Sequence, residues 1–473
     1  MNSVTDSIIL FVLSIMNKIS VITNKTIILI CFAACCFYSC NKSEPDYADV
    51  APIIYKHCSN CHRPGQSGPF DLLNYNDCKK HAATIKFVTE ARTMPPWPAD
   101  ADYVHFADEN YLSTDEIDLI GRWIENGCEK GDEKKFPAVP QFVAGSELGK
   151  PDLILKVPPY LIKGENREKF IMMKVPFELP SDTFLKAVEF VAGNKKLLHH
   201  MNGHLLVFDD KKQNNIFEGP FQVDRDTAYY ISESAHELNL LQNDGSVPEF
   251  YGSVANYLPG TSTTVYPDGI GGAKLKKYNV LLLRDVHYGA TPVDEWDSSF
   301  INIFFTDKSP GRITIEKQMG TLGISKIVPP LIIPPNKIST FRTQSTLPVT
   351  ISLLTINPHM HLLGKSFWAY AIKPDGDTIR IVRIPKWDFR WQYFYTYQKP
   401  LIIPEGSTIY VEGVYDNTDS NPNNPFYPPQ IVREPIGGNM KTTDEMFQLI
   451  MTFLPYQPGD EKIDLTDNAV MKR

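Results

Sequence analysis

The chain has 473 residues, of which 42% are hydrophobic and 22% are charged, a composition typical of a folded globular protein. A single hydrophobic core does not extend over this length, so about three domains are expected. The 47 Lys and Arg residues stand against 55 Asp and Glu residues, which gives a net charge of −8, and no basic stripe interrupts that balance. The composition therefore argues against a nucleic-acid partner.

Residues 1–40 have the pattern of a bacterial export signal. Two lysines precede an uncharged apolar run, 26–40, that is too short to cross a bilayer comfortably as a helix and that ends in Cys40. We expect Cys40 to carry a lipid that anchors the exported protein in the cell envelope, in the periplasm or at the outer membrane. Lipidation at Cys35, an uncleaved anchor and a translation start at Met16 remain open alternatives.

Residues 58–62, Cys-Ser-Asn-Cys-His, form a c-type haem attachment motif. The thiols of Cys58 and Cys61 have the spacing that joins the two vinyl groups of haem, and the adjacent His62 is the proximal ligand of the iron. The alternatives are a reactive dithiol and half of a zinc site, but the chain beyond the signal has no second Cys-x-x-Cys pair. The motif predicts one covalently attached haem.

Residues 41–140, around this motif, are predicted to form a small all-α cytochrome c domain. Apolar residues recur at helical spacing over 114–128, and the preceding Ser-Thr-Asp-Glu sequence offers a capped helix start. A first helix is expected over 47–57. The stretch resembles the monohaem cytochrome c modules attached to exported bacterial enzymes.

Met94 is the predicted second axial ligand of this haem, because a thioether opposite histidine raises the potential of an electron-transfer haem. His81 and His105 are rival ligands. Cys78 and Cys128 are left over and form a candidate disulfide pair, although the sequence does not establish that they are close in space.

After residue 140 the helical signals almost vanish. Short β-branched and aromatic runs, such as 152–157, alternate with Pro, Gly, Asn and Asp. This pattern predicts two all-β sandwiches, over residues 148–312 and 313–473. Within the second, alternate residues from 387 to 397 are aromatic, which predicts one aromatic face of a strand.

His359 and His361 lie two residues apart, after the apolar run 349–354. Side chains in a strand alternate with period two, so both imidazoles are expected on one face, as a clamp for a transition metal. Met446 follows later in the chain, and by itself it would be a core residue. A thioether joined to the clamp would select copper, particularly Cu(I), over zinc.

A second group of histidines is formed by His199, His200, His204 and His287. Adjacent residues in a regular strand point to opposite faces, so His199 and His200 can bind one metal only where the backbone bends, as at a bulge. His204 shares strand parity with His200 and is a rival to His199. Taken singly, each of these histidines is more often a hydrogen-bonded interior or surface residue.

Four motifs then occur in a fixed order: His-His-Met at 199–201, Val-His-Tyr-Gly at 286–289, His-Met-His-Leu-Leu-Gly-Lys at 359–365 and Thr-Asp-Glu-Met at 443–446. In this order they resemble the copper type II, ascorbate-dependent monooxygenases, the family of the peptidylglycine α-hydroxylating and dopamine β-monooxygenases. The resemblance extends over roughly 148–473. It implies two jelly-roll-like sandwiches that face each other across an open cleft, with one copper ion in each.

The resemblance also implies an activity and two ligand sets. The activity is hydroxylation of a substrate C–H bond with O2 and an external electron donor. One copper would store an electron, and the second, catalytic copper would activate O2. The implied ligands of the first are His199, His200 and His287, and those of the second are His359, His361 and Met446.

The sequence departs from the peptide-hydroxylating members where they grip the substrate carboxylate. Those members have an arginine, an asparagine and a tyrosine at the positions that hold Asn357, Gln448 and Ile450 in this chain. A peptide ending in glycine is therefore not expected as the substrate. The animal members also carry several disulfides in these domains, whereas this chain has no cysteine beyond Cys128.

The tethered haem suggests a source of electrons. A covalently attached cytochrome has a high effective concentration beside the copper sites, so we expect an external partner to reduce the haem and the haem to reduce the histidine-rich copper. Two other functions compete with a monooxygenase. One is a non-catalytic copper-binding or electron-transfer lipoprotein, and the other is a ligand-binding sandwich with structural histidines.

Overall fold

The computed structural model describes residues 44–466, except for 143–144, 212–214, 226–230, 262, 264, 266, 268, 307–308 and 436–440. The predicted export signal and its Cys40 lie outside the described residues. The described chain is mostly β-sheet. None of its described helices is long and apolar enough to span a membrane.

The part of the chain that the structure describes contains five α-helices, all of them short. α1 and α4 each begin with a capping box, formed by Asp46 with Asp49 and by Ser113 with Glu116, which satisfies backbone N–H groups of the first turn. The helices are α1 Tyr47–His57, α2 Tyr75–Lys80, α3 Ala82–Glu90, α4 Thr114–Glu125 and α5 Ile231–Glu237. Single turns of 3-10 helix occur at Glu133–Lys135 and Asp460–Lys462.

The strands form where β-branched and aromatic residues are spaced by turn residues. They are β1 Leu153–Lys156, β2 Tyr160–Ile162, β3 Lys169–Glu178, β4 Thr183–Val191, β5 Leu198–Val207, β6 Gln222–Asp224, β7 Glu249–Tyr257, β8 Ile270–Gly271, β9 Lys274–Leu275, β10 Tyr278–Tyr288, β11 Glu295–Asp297, β12 Phe300–Thr306, β13 Arg312–Ile313, β14 Ile315–Gly320, β15 Ile327–Val328, β16 Ile332–Ile333, β17 Lys337–Thr346, β18 Ile351–Met360, β19 Gly364–Ile372, β20 Thr378–Ile384, β21 Tyr395–Ile403, β22 Thr408–Asn417, β23 Val432–Arg433 and β24 Phe447–Pro455.

The strands up to β12 build a first β unit. Its larger sheet has the order β6-β3-β10-β5-β7 and its smaller one the order β1-β12-β4-β9. Both sheets contribute to one buried apolar core, for example Leu281 of β10 and Ile301 of β12. β5 and β10 are therefore inner strands whose ends are held in place by neighbours on both sides.

The strands from β14 onward build a second β unit. Its main sheets have the orders β14-β24-β18-β21 and β15-β17-β22-β19-β20, with a common core that includes Leu353 of β18 and Phe367 of β19. β22 shows the alternation of a strand with one buried face, since every second residue from Ile409 to Asn417 is buried. β18 and β24 are inner strands of the first of these sheets.

The prediction of an all-α cytochrome c domain over 41–140 is wrong. The helical segment, residues 44–142, contains four short helices, and its stretch 95–107 leaves the helices and packs on the second β unit. Ala99 and Phe106 are buried in the core of that unit, and Phe106 forms a β-bridge with Tyr397. Prolines at 95, 96 and 98 disfavour a helix there. The apolar residues that follow are buried against a sheet of the second β unit instead.

The predicted aromatic strand over 387–397 is also corrected, because β21 begins only at Tyr395. Residues 385–394 form a loop in which Asp388 accepts hydrogen bonds from the backbone N–H of Arg390 through its side chain and from that of Trp391 through its carbonyl, each at 3.0 Å. This local turn interrupts the strand pairing. Its consequence for the histidines is described below.

Candidate metal centres

The first histidine cluster lies at one end of the paired strands β5 and β10. His200 is opposite His287, but Tyr288 is opposite Leu198, so that His199 is an extra residue in β5. This irregularity lets two adjacent side chains approach the same partner. The ring centroids of His199 and His200 lie 4.8 and 4.9 Å from that of His287.

Glu168, which the sequence did not single out, joins this cluster from the end of the loop before β3. The ligand atoms of Glu168, His199 and His287 lie within 4.8 Å of one another. Oε2 of Glu168 is 3.4 Å from Nε2 of His287, although this contact does not have hydrogen-bond geometry. The neighbouring His287 ring holds the pKa of Glu168 below its ordinary value.

The first cluster has the properties of a metal site. Desolvation, followed by the nearby His287 ring, lowers the pKa of His199 to about 4, and the pKa of His200 lies well below its ordinary value for the same reasons. These imidazoles are neutral at pH 7 and carry lone pairs for a metal. Both ring nitrogens of buried His287 lack a hydrogen-bond partner within the described chain. Such an orphaned group fits a metal ligand.

His204 lies apart from this cluster. It is opposite Leu282 in the strand pairing, its ring centroid is 5.1 Å from that of Phe250, and its Nδ1 accepts a hydrogen bond from the backbone N–H of Ser253 at 3.1 Å. Burial lowers the pKa of His204 to about 3. The structure thus gives His204 a hydrogen-bonding role on β7, while His199 and His200 approach His287.

The second histidine cluster lies at the end of β18. The ring centroids of His359 and His361 are 5.1 Å apart. β18 and β24 pair up to Met360 opposite Phe447, so His361 directly follows the paired end of β18 and Met446 directly precedes that of β24. The Met446 side chain is fully buried.

Each ring of the second cluster is oriented through its Nδ1. The Nε2 group of Gln392 donates to the carbonyl of Phe389 at 2.9 Å, so its Oε1 is the acceptor for Nδ1–H of His359. Nδ1–H of His361 donates to the carbonyl of Asp444 at 2.8 Å. Nε2 is left for a metal in both rings, and in His359 it is buried without a partner among the described residues.

Electrostatics keep this second pair neutral. Burial lowers the pKa of His359 to about 3, with a further contribution from His361, and burial lowers the pKa of His361 to about 4. Two neutral imidazoles and a nearby thioether are a donor set that suits copper, and sulfur favours Cu(I). The residues present therefore fit a copper ion.

Phe389 lies between the two clusters. Its ring centroid is 6.3 Å from the rings of both His200 and His287, and 5.6 Å from that of His361. Phe389 belongs to the loop that interrupts the predicted aromatic strand, and Gln392 ties this loop to His359. One loop of the second β unit thus contacts both sets of predicted ligands.

The predicted haem ligands lie in the helical segment. Nδ1–H of His62 donates to the carbonyl of Phe70 at 3.0 Å. The other ring nitrogen, Nε2, is the atom that could bind an iron. The thiols of Cys58 and Cys61 are free, and a Cβ added to Gly260 of the first β unit would lie 2.8 Å from Sγ of Cys61. The residues fit a haem attachment loop that packs against the first β unit.

The other predicted haem ligands and the candidate disulfide cysteines lie elsewhere in the helical segment. Met94 is half-buried on the loop after α3, whereas the His81 ring stacks on Phe70 with centroids 3.8 Å apart. His105 is exposed beside Glu109. The candidate pair Cys78 and Cys128 consists of two buried free cysteines in the structure.

Taken together, the second cluster has the donor set of a copper site at the end of a β-sheet. Residues 319–426 match the family model described as copper type II ascorbate-dependent monooxygenase, C-terminal domain. The match covers less than a quarter of the chain, includes His359 and His361, and ends before Met446. It supports a copper-dependent oxidoreductase that uses O2 and a substrate, with ascorbate as the reductant of the family.

No curated protein matches the chain. Among solved structures, allantoicase has 9% identity and a TM-score of 0.15, with 51% of this chain and 76% of that chain covered. PBCV-1 VP54, fitted into a reconstruction of the virophage Sputnik, has 8% identity and a TM-score of 0.18, with 68% and 99% covered. Infectious bursal disease virus Gt strain has 11% identity and a TM-score of 0.14, with 68% and 80% covered.

Proposed function

We propose that this protein is an exported copper-dependent monooxygenase that hydroxylates a C–H bond of an organic substrate with O2. The observation that carries the proposal is the grouping of neutral histidines into two clusters beside one ring, that of Phe389. The family match over 319–426, which includes one of these clusters, supports the same reaction class.

In this proposal the two clusters hold two copper ions. When bound, copper supplies one-electron chemistry by cycling between Cu(I) and Cu(II). The proposed ligands are His199, His200 and His287 for one ion, and His359, His361 and Met446 for the other.

The chain itself positions and shields these sites. Gln392 and the carbonyl of Asp444 hold the Nδ1–H groups of the second pair, which fixes the tautomer and aims both Nε2 atoms. Depressed imidazole pKa values keep protons from competing for those nitrogens at neutral pH. The apolar ring of Phe389 lies close to the rings of both clusters.

A covalent haem is the second part of the proposal. Cys58 and Cys61 would attach it, and His62 and Met94 would be its axial ligands. A haem bound there would store an electron that an external donor supplies. Because the haem is tethered to the same chain, its effective concentration at the copper sites would reach the mM range for short tethers. We further propose that the protein is anchored in the bacterial cell envelope through a lipid on Cys40.

Metal analysis and O2 consumption test this proposal. We expect two copper ions per haem in the purified protein, and ascorbate-driven O2 consumption that is lost in Met446→Ala. Met451→Ala is the matched control, because Met451 is equally buried in the adjoining β24 but is not a proposed ligand. Copper without O2 consumption would indicate a carrier instead, and zinc or no metal would contradict both functions.

A further inference from the structure

A cavity lies where the helical segment and both β units meet. Its wall includes Trp97 from the helical segment, His200 from the first β unit, and Asn357 and Gln392 from the second. About 190 Å³ of the cavity is open to the centres of water molecules, whereas one water needs only roughly 10–15 Å³ on that measure. The cavity therefore has room for a small organic molecule next to a proposed copper ligand.

The wall of this cavity is mostly uncharged. Of its three Lys, Asp and Glu residues, Lys56 is exposed, Asp108 has its own interaction partner, and Glu109 accepts a hydrogen bond from the backbone N–H of Phe106 at 2.7 Å. Its carboxamides are Asn60, Asn110, Asn202, Asn256, Asn357 and Gln392. Its aromatic residues are Trp97, Phe106, Tyr257, Tyr393, Phe394 and Tyr395.

Asn357 gives this wall a definite hydrogen-bonding polarity. Its Nδ2 donates to the carbonyls of Gln392 at 3.3 Å and Tyr393 at 2.9 Å. Its Oδ1 has no donor among the described residues, so Asn357 offers the cavity an acceptor. A carboxylate would meet this oxygen as a second acceptor and would be repelled, whereas a hydroxyl can donate to it.

The aromatic part of the wall suits an apolar ring. The ring centroid of Trp97 lies 5.3 Å from those of both Tyr393 and Tyr395, so these side chains form one continuous surface. Flat faces of this kind pack against compact apolar bodies. A charged group placed there would lose its hydration without gaining a counter-charge.

We propose that this cavity binds the substrate, and that the substrate is an uncharged ring compound whose hydroxyl group donates to Oδ1 of Asn357. Asn357 and His359 have the same parity on β18, and Gln392 both lines the cavity and orients His359. The cavity wall is therefore connected through Asn357 and Gln392 to His359 of the second histidine cluster, although His359 itself does not line the cavity. The inference rests on the proposed monooxygenase function for the role of the occupant, but binding requires no turnover.

Calorimetry with three ligands of one shape tests the inference. The full-length protein as isolated, kept without reductant so that no turnover occurs, is titrated at pH 7 with cyclohexylmethanol, cyclohexanecarboxylate and cyclohexylmethylamine. We expect the alcohol to bind at least about tenfold more tightly than either ion, because an ion would lose its hydration in a wall that is mostly uncharged. Equal or tighter binding of an ion, or no binding of the alcohol, would overturn the inference.

Asn357→Leu removes the acceptor, and we expect it to weaken binding of the alcohol by about fivefold, the effect of one hydrogen bond. Asn417→Leu is the matched control. Asn417 is also buried in the second β unit and donates to the carbonyls of Ile333 and Gln430 at 3.1 and 2.7 Å, but it lies outside the cavity. An equal loss in both variants would count against the contact with Asn357. If the protein still prefers the alcohol but binds no copper and consumes no O2, the proposed function is refuted and the binding inference stands.

Discussion

Glu445 is a fully buried carboxylic acid beside the second histidine cluster. Its replacement by glutamine is expected to change how the stability of the protein depends on pH. Its two oxygens accept hydrogen bonds from the backbone N–H groups of His361 at 2.9 Å and Leu363 at 2.6 Å. Burial nevertheless raises the pKa of Glu445 from 4.5 to about 8. The acid is therefore mostly protonated in the folded, copper-free protein at pH 7.

The ionised Glu445 side chain takes up a proton when the protein folds, so the stability of the protein falls as the pH rises. Because the folded-state pKa lies above the unfolded value, the stabilisation by this group is complete below about pH 4.5 and is lost as the pH rises through about 8. At 1.36 kcal/mol for each pKa unit, the loss between pH 5 and pH 8 is about 3 kcal/mol. Glutamine does not titrate, but its amide nitrogen cannot accept, which costs one hydrogen bond, about 1 kcal/mol, at every pH.

Urea unfolding of the copper-free protein from pH 5 to pH 8 measures this difference. We expect Glu445→Gln to be less stable than the wild type at pH 5 and more stable at pH 8, with a total change in the difference of about 3 kcal/mol. The slope of the free energy of unfolding against urea concentration serves as the control, since it reports the surface exposed on unfolding. Parallel pH curves for the two proteins would refute the reasoning.

Three further predictions concern the clusters. Gln392→Leu removes the acceptor for Nδ1–H of His359, and we expect copper affinity at that site to fall by about 10- to 100-fold in a chelator competition; unchanged affinity would contradict the orienting role. His199→Gln should lose about one copper equivalent by metal analysis, while His204→Gln should keep both, because His204 bonds to Ser253 instead; the opposite result would exchange their roles. If the two proposed copper ions are bound, Phe389→Ala should alter the magnetic dipolar coupling between them in electron paramagnetic resonance of the Cu(II) protein, because it removes the ring between the two clusters; an unchanged spectrum would show that Phe389 does not set their separation.

The parts of the site that depend on local spacing could be predicted from the sequence. The His-x-His spacing predicts, with no knowledge of the fold, that His359 and His361 lie close together, and their ring centroids are 5.1 Å apart, although β18 ends at Met360 and only His359 lies within the strand. Met446 could be linked to them only through the family resemblance, because its position depends on the pairing of β18 with β24. Likewise, only the register of β5 against β10 shows that His199 is the extra residue at a bulge.

Other features had no local signal. Glu168, Phe389 and Gln392 lie in loops, and their contacts with the histidines arise from tertiary packing. The all-α prediction failed for a related reason. The helical pattern of α1 and α4 is real, but a pattern within one segment does not show that the stretch between them is buried against a distant sheet.

The stretch 95–107 of the helical segment contributes Ala99 and Phe106 to the hydrophobic core of the second β unit, which has a consequence for truncated forms of the protein. The backbone N–H of Ala107 donates to Thr396 at 2.7 Å, and Nε of Arg383 donates to Asp100 at 2.7 Å, so polar links surround the buried Phe106. A protein expressed from residue 141 onward would expose the face of Tyr397 to water and leave a β-bridge unpaired. The helical segment and the second β unit are thus expected to be produced and purified together.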